Sequence, residues 1–178
     1  MEKQKRVHYF NGRFLSAEDL QAEQDYHRDT QRRHNLILHG AGVVSGLKVS
    51  LSKDGRGPSV TVAPGHAVDP RGNLIGLCEP LPVALPTPKV ALLVKLRHSE
   101  VLTDPVPSTG SDAGNETQFS RVEEGAEVVL VAATDTAATS KAARARAAAP
   151  EASVVLARLI PTRSGWRLDR TLKVCRSS

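Results

Sequence analysis

The 178-residue sequence predicts an α+β fold that is mostly β. An N-terminal arm and one long α-helix lead into an antiparallel β-sandwich or partly open barrel. Residues 17–39 lie between a serine cap and a glycine stop and are almost entirely polar for four turns. From residue 43 onward, short runs of alternating apolar and polar residues are separated by turn signals, the rhythm of antiparallel strands. Three Phe, two Tyr and one Trp are few for a chain of this length, so Val, Leu and Ala must supply most of the core. A chain this long buries roughly 70% of its unfolded surface. The expected organisation is an arm and helix over residues 1–40 and a β-rich domain over 41–178.

Residues 7–15, VHYFNGRFL, read as an extended arm with a turn at Asn11-Gly12. Ser16 with Asp19 three positions on approximates a capping box, and Glu18 and Asp19 suit the positive end of the helix dipole. Leu15 before the cap and Leu20 at the fourth helical position have the spacing of a hydrophobic staple. The helix is expected from about Ala17 to His39, stopping at Gly40.

Strand texture follows in GVVSGLKVSLS, SVTVAPGHAVD and LIGLCEPLPVAL, punctuated by KDGRG and PRGN. Val90–Leu96 is a longer apolar run that suits a central strand buried on both faces. Residues 102–118 read as a Pro/Gly/Ser/Asp-rich loop, and strand texture returns over 126–134. An Ala-rich stretch at about 135–151 reads as a mobile insertion, because a helix of that length is marginal alone. SVVLARLIP, the turn TRSG and WRLDRTLKV close the chain as a hairpin.

The formal charge of +5 would suit an anionic partner, but the positives are scattered. The densest cluster, Arg28, Arg32 and Arg33, is interleaved with Asp25 and Asp29, a mixed pattern typical of a solvated face. Cys78 and Cys175 form neither a disulfide framework nor a zinc spacing and are expected as free thiols. The N-terminus lacks an apolar signal core, and no run has the ~18–20 apolar residues of a membrane helix. The expectation is a protein made in the cytoplasm without a signal peptide or membrane insertion.

No catalytic constellation emerges. His27, His34 and His39 share the helix at spacings of seven and five, and HExxH is absent. A site joining His39, His66 and Cys78 across the fold has no spacing signature. GAGVVSG, residues 40–46, follows a helix and feeds a strand, the wrong order for a phosphate-binding loop. Its glycines instead suit a helix-to-strand corner. There is no GxSxG motif, and Glu123-Glu124 beside Gly125 reads as solvated loop. The expectation is no enzyme, no cofactor and no metal.

What the polar helix packs against is the open question. Leu20, Gln24, His27, Gln31, His34 and Leu38 recur at steps of four and three, with every charged neighbour falling elsewhere. This is a heptad seam with polar middle layers and leucine at both ends, in which polar layers fix register and strand number. The alternative is that Tyr26, Leu36 and Ile37 pin the helix onto the β-domain while the Gln and His side chains face water.

Residues 9–49 (YFNGRFLSAEDLQAEQDYHRDTQRRHNLILHGAGVVSGLKV), followed by VTVAPGHAVDPRGNLI, resemble small structural proteins of contractile injection systems and phage-tail-like particles. Tyr9, Phe10 and Phe14 match an aromatic arm, and Glu23, Gln24 and Tyr26 match a helix motif. His39, Gly40, Gly42 and Gly46 match a glycine corner. The resemblance implies a non-enzymatic adaptor near a baseplate or tail-fibre attachment. It also implies assembly into a particle with copies of itself, a trimer favoured, and with other baseplate proteins. The rivals are a nucleic-acid-binding module using Arg28, Arg32 and Arg33, against which stands the lack of aromatic stacking platforms, and an envelope-polymer hydrolase.

Overall fold

The computed structural model describes residues 4–54, 57–87, 89–107, 117–133, 152–172 and 174–177. The Ala-rich insertion expected at about 135–151 lies outside the described residues. Helix α1, Ala17–Leu38, is capped at both ends by local chemistry. Ser16 Oγ accepts the Asp19 N–H at 3.3 Å while the Asp19 carboxylate accepts the Ser16 N–H at 3.5 Å, a reciprocal capping box. His39 is the C-cap, and Gly40, with φ of 71°, donates its N–H to the Leu36 carbonyl at 3.1 Å.

The strands that follow among the described residues are β1 (Gly42–Gly46), β2 (Val49–Asp54), β3 (Gly57–Val62), β4 (Gly65–Val68) and β5 (Leu74–Leu77). Then come β6 (Leu81–Ala84), β7 (Leu92–Pro107), β8 (Thr117–Ala132), β9 (Ser153–Thr162) and β10 (Gly165–Leu168). They pair antiparallel in three sheets, ordered β1-β4-β5, β2-β3-β6 and β10-β9-β7-β8. The sheets do not close into a barrel. Each lends its inward face to one core. Val43, Ala67 and Ile75 come from the first sheet, Val60 and Val62 from the second, and Leu96, Leu159 and Trp166 from the third. Full burial of such aliphatic side chains contributes about 1.5–3 kcal/mol each.

Two expectations need correction. The apolar run ending at Leu96 is central in its sheet, but Leu92, Val94 and Leu96 are buried while Leu93 and Lys95 between them are only half-buried. It is a one-sided antiparallel strand, which needs a full apolar cover on one face alone. The loop expected at 102–118 is mostly strand: β7 continues to Pro107 and β8 starts at Thr117, pairing Leu102 with Val122 and Pro105 with Phe119. β9 follows β7 only as far as Arg97, so beyond it the two strands form a ribbon. Pro105 and Pro107 are tolerated there because β7 has an open edge that needs no N–H. Glu123 and Glu124 consequently lie in a strand.

The C-terminal segment returns to the helix-to-strand corner. Val43 and Cys175 share a hydrogen bond of 2.9 Å, the Ser177 N–H reaches the Val43 carbonyl, and Ser177 Oγ reaches the His39 carbonyl at 2.8 Å. A Cβ on Gly42 would lie 2.7 Å from the Cys175 oxygen, so the close approach requires glycine. Cys78 and Cys175 are free and exposed. No helix among the described residues is long and apolar enough to cross a membrane.

Candidate functional site

The β4–β5 turn, Asp69-Pro70-Arg71-Gly72-Asn73, presents a polar surface to α1. Asp69 is fully buried, and its carboxylate accepts the backbone N–H groups of Arg71 and Asn73 at 2.8 and 2.9 Å and the Asn73 side-chain amide at 2.7 Å. These bonds replace the water that a buried carboxylate loses. The oriented Asn73 offers its oxygen to Arg32 Nε at 2.6 Å. One turn further along α1, Asn35 donates to the Gly72 carbonyl at 2.9 Å and accepts from Gln31 Nε2 at 3.1 Å. Gly72, with φ of 89°, lies so close to the helix that a Cβ would collide with the Arg32 carbonyl.

Asn35, 8% exposed, is the helix residue buried in the fold. Tyr26 and Leu36 are half-buried, and Ile37 is exposed. The apolar pins considered above are therefore secondary to a polar dock. Sequence reading missed Asn35, Asp69, Gly72 and Asn73 as partners. The available signal was PRGN, which identifies a turn without indicating what the turn touches.

All six seam residues, Leu20, Gln24, His27, Gln31, His34 and Leu38, are exposed. Leu20 is 53% and Leu38 58% exposed, and they stand about 27 Å apart along the helix. His27 Nε2 lies 3.0 Å from the Glu23 carboxylate, and Glu23 Oε2 is buried without a hydrogen-bond partner. Glu18, beside the N-cap, has its carboxyl held below the usual range, first by a hydrogen bond from the Ser16 hydroxyl and then by its own backbone N–H.

The arm runs beside the same helix. Arg13 ties it down, bonding the His8 carbonyl at 2.7 Å and Asp19 at 2.6 Å. Tyr9, Phe10 and Phe14 remain exposed, Phe14 at 96%. Gln4 and Lys5 from the arm, Tyr26, Arg33 and Leu36 from α1, and Arg71 from the turn line a groove of about 940 Å³.

The basic cluster is largely committed within the chain. Arg28 bonds Asp25 at 2.6 Å, and Arg32 bonds Asn73 and approaches Asp29 at 3.4 Å. At the corner, Gly40 and Gly46 take φ of 71° and 63°, and the rings of His34 and His39 stand 6.2 Å apart. His39, His66 and Cys78 are not brought together as a ligand set among the described residues. His98, Glu100 and Glu124 are.

No family model matches the chain, and no curated protein sequence matches it. Its fold is similar to a chain in the cryo-electron microscopy structure of the type VI secretion system TssK-TssF-TssG baseplate subcomplex, with a TM-score of 0.51 at 17% identity. That match covers 97% of this chain and 62% of the other. The crystal structure of TssK matches with a TM-score of 0.50 at 14% identity, over 93% of this chain and 40% of the other. A chain of the baseplate complex from the type VI secretion system matches at 0.51 and 15% identity, over 97% and 60%. The chain thus spans less than two thirds of the length of each of these proteins. At such identities the likeness is one of fold alone.

Proposed function

We propose that the protein is a non-enzymatic structural adaptor of a contractile injection system or phage-tail-like particle. It acts near the baseplate or tail-fibre attachment and assembles through its arm and α1. The observation that carries this reading is the helix surface: α1 docks on its own sheets through polar contacts and leaves the Leu20–Leu38 face in solvent. A leucine-bounded seam gains stability by burial against copies of itself, and the Gln and His layers restrict its register. A trimer is the favoured self-assembly, with other baseplate proteins as further partners. The exposed Tyr9, Phe10 and Phe14 suit insertion into a neighbour's groove, as aromatic anchors do at interfaces. The fold likeness to baseplate chains supports the same reading.

Cysteine cross-linking tests it. With Cys78 and Cys175 changed to Ser, Gln24→Cys should give covalent dimers on mild oxidation, at a yield that does not fall on dilution to micromolar protein. A cysteine at exposed Ser164, in the β9–β10 turn, should give none. Equal yields from both positions would reject self-assembly through the seam.

A further inference from the structure

We propose that His98, Glu100 and Glu124 form a binding site for a divalent transition-metal ion at the root of the β7–β8 ribbon. The strand register brings the donors together. Glu100 is directly opposite Glu124, and His98 is opposite Ala126, one pair nearer the core. Directly opposed residues share a face, as do residues two apart along a strand, so all three side chains project the same way. The preceding pair on that face is Leu96 and Val128, both buried. The donors therefore stand where the core ends and the ribbon begins, and the small Ala126 leaves room beside the imidazole.

Like charges directly opposite one another in a sheet destabilise it unless a cation intervenes. The imidazole stands between the two carboxylates without hydrogen-bonding either. Its Nδ1 is 3.9 Å from Glu100 and its Nε2 3.7 Å from Glu124, with the side chain only 12% exposed. One donor atom from each residue lies within 4.8 Å of the others. Zinc bonds of about 2.0–2.2 Å in a tetrahedron put donors about 3.3–3.6 Å apart. Rotation of the two exposed glutamates closes that gap without moving a strand.

The charge balance also suits a dication. With His98 neutral, the donors carry two negative charges. The Arg28 guanidinium is 3.7 Å from Glu100, but it is hydrogen-bonded to Asp25 at 2.6 Å, and that carboxylate balances it. One imidazole nitrogen with two carboxylates favours zinc, cobalt or nickel over calcium, which prefers oxygen ligands alone. Three protein donors leave a coordination position open for water or for a side chain of a neighbouring subunit.

The test uses untagged full-length protein titrated with Zn²⁺ by calorimetry and with Co²⁺ by visible absorption. The wild type should bind one ion per chain, gain d–d bands with Co²⁺ and melt at a higher temperature with Zn²⁺. His98→Ala and Glu124→Gln should each weaken binding about tenfold or more. His34→Ala, on the helix, should leave it unchanged. Glu124→Gln changes an exposed position isosterically, so its circular dichroism should match the wild type. No binding by the wild type overturns the proposal. So does binding that survives both ribbon variants, because the ion would then be held by other residues.

Discussion

Asn35 on α1 donates its side-chain amide to the Gly72 carbonyl at 2.9 Å, and this buried bond joins the helix to the β4–β5 turn. A helix without a wide apolar stripe cannot be held by hydrophobic burial. It is held by directional bonds, each with a net worth of about 0.5–1.5 kcal/mol. The orientation of α1 is therefore well specified, while its Leu20–Leu38 face stays open to a second surface.

Asn35→Ala should lower stability by about 1–3 kcal/mol, because it leaves the Gly72 carbonyl unpaired. Gly72→Ala should cost more, since its Cβ would collide with the Arg32 carbonyl and its positive φ disfavours a side chain. Hydrogen exchange should show α1 amides faster in both variants, with amides of Leu92–Leu96 nearly unchanged.

Trp166 is buried against the core and donates its indole N–H to the Pro86 carbonyl at 3.0 Å. Trp166→Phe should lose this bond and part of the packing, costing about 1–2 kcal/mol. Trp166→Ala should cost about 3–5 kcal/mol. Urea unfolding followed by circular dichroism measures both.

Ser16→Ala removes the bond to the Asp19 N–H and should cost about 1 kcal/mol of cap stability. It should also raise the Glu18 pKa towards the ordinary carboxylate value, as followed by side-chain NMR titration. Because the folded-state pKa of Glu18 is lowered, its contribution is present above the unfolded value and is lost as pH falls through the folded one. Helix content should therefore decline on acidification, and the Ser16→Ala profile should lose this component.

Phe14→Ser with Phe10→Ser removes two exposed aromatics that support no core residue. The unfolding free energy should stay within about 0.5 kcal/mol of wild type. The proposed anchoring role of the arm predicts that the double variant loses co-sedimentation with a reconstituted baseplate.

Features set by near neighbours were legible in the sequence. The Ser16–Asp19 cap, the Gly40 stop and the alternation around Val60 and Val62 all depend on residues within a few positions. The β7–β8 ribbon was hidden because Pro105 and Pro107 punctuate the local text, whereas Leu102 finds Val122 across a long separation. The Asn35–Gly72 bond spans 37 positions and leaves no periodic trace. The same holds for His98, Glu100 and Glu124, whose proximity depends on strand register. The six-residue seam was readable as a pattern, and the structure leaves all six residues exposed.

Solution mass by light scattering of wild type and of Leu20→Asp with Gln24→Asp tests self-assembly through α1. Both positions are exposed on the half of α1 away from the Gly72 dock. Self-assembly through this helix face gives a trimeric wild type and a monomeric, still folded double variant. A monomeric wild type, or a trimer that survives both aspartates, would contradict self-assembly through this helix face.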